Sequence, residues 1–194
     1  MASGLTGIGI VVAVAAGVML ARSGVNAWMR ARARAQWKSV CSAVGLTLES
    51  TDAPFPRAQG NVQDHAIELW VDELRTFGLD RQFVRIRVAV SDVPELFVRT
   101  RRTEFEPSTW REVLTGDLSF DDVMRVSAPE PKTARAWLNP TRRSALISLS
   151  ETVTNWSIGD GVIGVSSEGL SADVSTWQAQ LNALTGTATT LEAG

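Results

Sequence analysis

The sequences HAIELWV at residues 65–71 and FVRIRVAV at residues 83–90 decide the fold. In both stretches every second residue is aliphatic, while the residues between them are small, charged or aromatic. Successive side chains of a strand point to opposite faces, so this period of two predicts a strand at each place. One face of each strand is expected on a core and the other in contact with water. The aliphatic positions are Ile67, Leu69 and Val71 in the first stretch and Val84, Ile86, Val88 and Val90 in the second.

Further along the chain, turn and cap signals divide the remaining strands and helices. Gly159-Asp160-Gly161 lies between two apolar segments and is typical of a hairpin turn, because these residues tolerate a positive φ angle. Asn139-Pro140 predicts a helix with Asn at its N-cap and Pro at its first position. An apolar stripe at helical spacing predicts a last helix that ends at Gly186, formed by Val174, Trp177, Leu181 and Leu184.

The order of these elements predicts the fold class. Strands and helices occur in runs without strict βαβ alternation, which indicates an α+β fold with a mainly antiparallel sheet packed with helices. We expect this soluble domain over residues 46–186. The small, polar residues 187–194 are expected to form a flexible tail.

The residue composition excludes several kinds of chemistry. The chain of 194 residues holds one cysteine, Cys41, and one histidine, His65, so zinc sites built from several Cys and His ligands are excluded. A single cysteine also excludes an intrachain disulfide. The chain carries neither a P-loop nor a dinucleotide-binding glycine motif. No cofactor and no metal are therefore predicted.

The amino-terminal segment has the composition of a membrane span. Residues 5–21 carry no charge, and seventeen residues of helix measure about 26 Å, close to the hydrocarbon thickness of a bilayer. A transmembrane helix is therefore predicted over residues 1–22, with the lipid bilayer as a partner. Small residues spaced by four predict helix pairing and thus a homo-oligomer, at Gly9, Ala13 and Gly17. A cleaved signal peptide remains an alternative, although the basic region that precedes such signals is missing.

A basic segment follows the apolar one and sets the expected orientation. Residues 23–45 predict an amphipathic juxtamembrane helix, with Trp28 as an anchor at the lipid interface. By the positive-inside rule the N-terminus is expected outside and the domain in the cytoplasm, at a bacterial inner membrane. The residues that carry this topology signal and attract lipid headgroups are Arg22, Arg30, Arg32, Arg34 and Lys38. Nucleic acid is not an expected partner, because the rest of the chain is acidic.

The polar sequence TGDLSFDD at residues 115–122 contains three carboxylates, those of Asp117, Asp121 and Asp122. Such a cluster allows two interpretations. Hard cations such as Mg²⁺ accept one or two carboxylates plus waters. Asp and Ser side chains also bind nearby backbone N–H groups in caps and turns, and this structural interpretation is favoured.

The run from Thr115 to Leu149 resembles a pattern in uncharacterised bacterial single-span membrane-anchored proteins with a TGDxxFD-type α+β domain. In that pattern a T-G-D…F-D turn leads into a strand and then a short helix rich in Ala and Leu. The resemblance covers about 35 of the 194 residues. It implies a similar α+β domain behind an anchor, and it carries no catalytic positions.

These observations predict a single-span membrane-anchored protein whose cytoplasmic α+β domain is a protein-interaction or scaffolding module with a protein partner. The alternative is a membrane-tethered hydrolase or metal-dependent enzyme that uses Asp117, Asp121 and Asp122, with His65 as a base. In a third hypothesis the domain faces the periplasm as an envelope-associated module, which the basic flank argues against.

Overall fold

The computed structural model of this chain describes residues 31–32, 34–49, 55–76, 79–101, 110–168 and 173–193. Within these residues nine strands form a single sheet in which every pair of neighbours is antiparallel. The strands are β1 (Thr47–Leu48), β2 (Ala58–Val62), β3 (His65–Thr76), β4 (Leu79–Ala89), β5 (Phe97–Thr100), β6 (Arg111–Glu112), β7 (Met124–Ala128), β8 (Trp156–Gly159) and β9 (Val162–Glu168). Their order across the sheet is β1-β2-β3-β4-β9-β8-β5-β7-β6.

Five helices are present in the described part of the chain, and all contribute buried residues to the same core as the sheet. They are α1 (residues 34–43), α2 (Leu118–Val123), α3 (Pro131–Trp137), α4 (Pro140–Thr152) and α5 (Val174–Ala193). The domain is therefore of the α+β class.

The pairing of β3 with β4 gives the sheet one aliphatic, buried face and one face that is more polar and more exposed. Ile67, Leu69 and Val71 lie opposite Val88, Ile86 and Val84 in register, and all but Val71 are buried. The residues between them lie on the other face, hereafter the open face, where they are partly or fully exposed. The predicted strands and their predicted wet face are confirmed.

Two hairpins have two-residue turns with positive φ angles. The turn between β8 and β9 uses Asp160 and Gly161, as the sequence predicts. The turn between β2 and β3 uses Gln63 and Asp64, at φ angles of 51° and 66°, although neither is glycine. The amide oxygen of Gln63 accepts a 2.7 Å hydrogen bond from Thr185 of α5, so a contact with the helix stabilises this turn.

The amphipathic pattern predicted over residues 23–45 continues into α1, but this helix belongs to the domain. Trp37 is fully buried, donates from Nε1 to the Pro56 carbonyl at 2.8 Å, and packs edge-on against Phe55 and Trp177. The domain core therefore begins before residue 46, because its first helix supplies a central tryptophan.

The membrane part of the predicted fold class is corrected. In the part of the chain that the structure covers, no helix combines the length and the apolar character that a membrane crossing requires. The longest described helix, α5, has 20 residues, but it buries one side in the core and carries polar residues such as Gln178 and Asn182 elsewhere. Because no described helix can cross a membrane, the predictions of a single-pass protein and of an inner-membrane location are overturned. The predicted span, residues 1–22, lies outside the described residues. The same holds for the individual residues predicted to act at the membrane in this part of the chain: Gly9, Ala13, Gly17, Arg22, Trp28 and Arg30.

The flexible tail predicted over residues 187–194 is also wrong, because α5 continues through Gly186 to Ala193. Glycine in a helix interior is unfavourable by about 1 kcal/mol relative to alanine. Here Thr187, Ala188 and Leu191 are buried in the core, and their packing outweighs that preference.

Arg142 joins the ends of two helices from the first turn of α4. Its Nε donates to the Leu191 carbonyl of α5 and its Nη1 to the Trp137 carbonyl of α3, both at 2.9 Å. The last carbonyls of a helix lack intrahelical donors and carry the negative end of its dipole. The buried guanidinium therefore donates a hydrogen bond to one carbonyl at the end of each helix. It also packs on the Trp137 ring, 4.7 Å from the ring centroid.

We predict that Arg142→Met lowers the free energy of unfolding by about 2–3 kcal/mol, because it removes the side-chain donor to the buried Leu191 carbonyl and one of two donors to the Trp137 carbonyl, which also accepts from the Asn139 N–H. Arg111→Met is the matched control, since Arg111 is exposed at the sheet edge. Urea denaturation of the two purified variants measures the difference. Equal unfolding midpoints in the two variants would contradict this role of Arg142.

Candidate functional site

The carboxylate of Asp121 organises the loop between β6 and α2. It accepts hydrogen bonds from the Thr115 backbone N–H at 3.0 Å, the Thr115 hydroxyl at 2.9 Å and the Gly116 N–H at 3.0 Å. Burial alone would raise the pKa of Asp121, but these bonds outweigh it and lower the pKa below its usual value. Both oxygens are occupied by the loop itself.

Asp117 has a different structural task as the N-cap of α2. Its side chain accepts from the Ser119 hydroxyl at 2.6 Å and from the Phe120 N–H, and Arg143 Nε lies 3.1 Å from its second oxygen. The Ser119 hydrogen bond is the largest cause of a lowered pKa at Asp117, and the Arg143 charge adds to it. Asp122, the third member of the cluster, is exposed.

The first two of these carboxylates are used in local structure. Asp117 and Asp121 bind different parts of the backbone, and the described residues contain no group of three or more ligands able to hold a metal ion. The favoured structural interpretation of the TGDLSFDD sequence agrees with the geometry. The clamped loop leaves Leu118 79% exposed.

His65 connects β3 to the C-terminal half of α5. Its Nε2 lies 3.0 Å from the Thr189 hydroxyl, whose proton is donated to the Thr185 carbonyl at 3.0 Å. The other ring nitrogen, Nδ1, lies 3.9 Å from a carboxylate oxygen of Glu192. The Thr189 hydroxyl thus contacts both His65 and the backbone of its own helix.

The other sequence candidates also have structural surroundings. Cys41 is fully buried, and burial raises the pKa of its thiol to about 12, as expected for an unreactive cysteine. Of the basic residues, Arg34 and Lys38 of α1 are exposed, as is Arg32, which precedes this helix. Arg101 binds the Asp121 carbonyl at 2.7 Å and Glu112 at 3.2 Å.

The open face of the sheet carries a groove that the sequence did not reveal. Its volume is about 980 Å³, and its lining residues come from five neighbouring strands, β3, β4, β9, β8 and β5. Representative residues of its walls and floor are Trp70, Arg85, Arg87, Gly164, Ser157 and Phe97. This volume lies at the upper end of the range for small-molecule pockets.

One wall of the groove is a cluster of charged side chains around Trp70. The indole Nε1 donates to Asp72 at 3.0 Å, and Arg85 Nε donates to the other oxygen of Asp72 at 3.0 Å. The guanidinium carbons of Arg57 and Arg87 lie 5.2 and 5.1 Å from the Trp70 ring centroid. Asp72 thus fixes the orientation of the ring on which two further arginines stack.

The floor is shaped by glycine and serine. Gly164 lies between Arg87 and Ser157 in register, and a Cβ at this position would meet nothing closer than Ser157, at 3.8 Å. At Gly159 the Phe97 ring approaches so closely that a Cβ would lie 2.9 Å from it. Small floor residues between an arginine wall and a phenylalanine therefore make the groove.

We predict that Asp121→Asn lowers the free energy of unfolding by about 2 kcal/mol at neutral pH, because an amide replaces an acceptor-only group. The folded-state pKa is lowered, so the contribution of Asp121 is fully present above its unfolded pKa of about 3.9 and is lost as the pH falls through the folded value. Chemical denaturation between pH 7 and pH 3 measures it. The exposed Asp122→Asn is the control. A difference between the variants that does not shrink below about pH 4 would contradict the clamp.

Neither the family models nor the curated protein sequences compared with the chain contain a match. Among solved structures, the crystal structure of the mycobacterial trehalose monomycolate transport factor A, TtfA, is similar to this chain with a TM-score of 0.58. The similarity covers 82% of this chain and 94% of that chain, at 12% sequence identity. At this identity the likeness shows that the two chains share a fold.

Proposed function

We propose that this chain is a protein-interaction module of a transport apparatus, and that it binds its partner protein through the open face of its sheet. The groove on that face is the observation that carries the proposal. The helices contribute to the core on one side of the sheet, so the groove on the other side offers a partner two aromatic rings, Trp70 and Phe97, with charged side chains of both signs: Arg85, Arg87, Asp72, Asp160 and Glu168. Tryptophan and arginine are enriched among the residues that dominate binding at protein interfaces.

The structural neighbour supports the choice of process. TtfA is described as a transport factor, and the structural similarity covers most of both chains. The alternative, an enzyme centred on Asp117, Asp121 and Asp122, receives no support from the contacts of these carboxylates.

Photocrosslinking in cells that express the chain naturally tests this proposal. A benzoylphenylalanine at Ser166, which lines the groove, is expected to give a discrete heavier species on irradiation. The same residue at Ser144, on the exposed side of α4, is the control and is expected to give none.

A groove-filling variant sharpens the test. Gly164→Leu places a bulky side chain in the groove from a position where a Cβ meets only ordinary contacts. We expect it to reduce the Ser166 crosslink at least tenfold while the protein stays folded, as judged by its melting temperature. Equal crosslinking from Ser144 and Ser166, or none from Ser166, would refute binding through this face.

A further inference from the structure

We propose that an acidic segment of a partner protein binds as an added strand along the outer edge of β1, with its carboxylates facing Lys38 of α1. This edge lies outside the groove on the open face, so the inference goes beyond the proposed function and does not depend on it. The reasons are the unpaired edge of β1, the cleft beside it and the charge of that cleft.

The outer edge of β1 offers backbone groups to a further strand. β1 stands first in the order of the sheet, and among the described strands it pairs with β2 alone. The Glu49 N–H donates to the Arg57 carbonyl, so Glu49 turns its backbone groups towards β2. Because successive residues alternate, Leu48 points its N–H and C=O away from β2. One residue of an incoming antiparallel strand can pair with both groups.

A cleft of about 470 Å³ lies between this edge and α1. Leu48 and Pro56 supply apolar surface to it. Trp37 donates from Nε1 to the Pro56 carbonyl at 2.8 Å, so α1 is fixed against this side of the cleft before a ligand arrives, which reduces the entropy lost on binding. Peptides that bind by strand addition use an exposed sheet edge of this kind. Three residues spaced by four along α1 also line the cleft: Arg34, Lys38 and Ser42.

The cleft has an excess of positive charge. Its lining contains two basic side chains, Arg34 and Lys38, against the single carboxylate of Glu49. In the part of the chain that the structure describes, Lys38 forms no ion pair with Glu49 or with any other carboxylate. The surrounding sequence has the same sign, although the whole chain is acidic. Residues 22–57 contain the basic residues Arg22, Arg30, Arg32, Arg34, Lys38 and Arg57 and the acidic residues Glu49 and Asp52.

The spacing of the basic residues on α1 matches an extended chain. Helical residues four apart are separated by about 6 Å along the helix axis. Side chains two positions apart in an extended peptide point the same way and lie about 7 Å apart. Two carboxylates at alternate positions of an added strand therefore reach Arg34 and Lys38 together.

The same charges favour an acidic partner over a second copy of the chain. Pairing two copies through this edge would bring two arginines and two lysines together, and charged side chains beside a sheet edge oppose such pairing. A strand with acidic residues is attracted instead. The basic side chains of α1 thus select between occupants as well as attract one.

The test uses the purified full chain and the peptide acetyl-Thr-Glu-Val-Glu-Val-Thr-amide. Isothermal titration measures affinity, and hydrogen exchange of the Leu48 amide, followed by NMR, reports strand addition. We expect saturable binding that weakens as salt rises, and an exchange rate at Leu48 that falls about tenfold at saturating peptide. The charge-reversed peptide, with Lys in place of Glu, is expected to bind about tenfold more weakly.

Backbone methylation distinguishes strand addition from charge attraction alone. In an antiparallel ladder the N–H groups of alternate residues face the neighbouring strand. We therefore expect N-methylation of one alternate pair of peptide residues, either the two Glu or the two Val, to weaken binding about tenfold. Methylation of the other pair is expected to leave the affinity nearly unchanged.

A variant connects the binding to α1. Lys38→Glu is expected to weaken peptide binding about tenfold, because it replaces attraction by repulsion. Lys132→Glu changes the other lysine of the chain, which is exposed on α3, and is the matched control expected to bind as the unmodified chain does. Melting temperatures check that both variants remain folded.

Three results would overturn the inference. They are equal binding of the charge-reversed peptide, equal losses from the two methylation patterns, and displacement of the peptide by anionic phospholipid vesicles but not by neutral ones. Each leaves the Ser166 crosslink of the proposed function intact, because Ser166 lines the groove on the open face. Conversely, peptide binding at β1 in the absence of a Ser166 crosslink would reject the proposed function alone.

Discussion

The register between β3 and β4 is the constraint on which the structure depends. Ile67 and Leu69 pair with Val88 and Ile86 on one face, so the intervening residues of both strands must lie on the other. A shift of one residue would bury arginines and expose the aliphatic side chains. Only this register supplies a surface on which helices pack and, on its reverse, the groove with Trp70 at one wall.

The sequence predicted those parts of the fold that depend on short-range patterns. Alternation revealed the two central strands, and the Gly159-Asp160-Gly161 turn and the Asn139 cap were found where local chemistry demands them. The continuation of α5 past Gly186 was missed because packing of Leu191 against the core, which no local pattern records, outweighs the helix propensity of glycine. The role of Arg142 was missed for the same reason, since its acceptors lie up to 49 residues away.

Polar residues that stand out in a sequence need not mark a reactive site. Three such residues have hydrogen-bond partners that belong to the fold. Asp121 binds the backbone of a loop, Asp117 binds the start of a helix, and His65 contacts a hydroxyl of α5. Burying or half-burying such groups is favourable only when their donors and acceptors are satisfied. The same contacts that explain why these residues are present thus use the lone pairs and protons that catalysis would require.

The groove has a different signature, because one of its features weakens the isolated sheet. Glycine in a strand interior weakens the strand, yet Gly164 lies within β9, where a Cβ would meet only ordinary contacts with Ser157. Arg57 and Arg87 hold positive charge against one aromatic ring. Gly164 therefore adds no side chain to the groove floor, while the two arginines pack on the Trp70 ring. The residues that line this surface are spread from position 70 to position 168, so it exists only once the strands have paired.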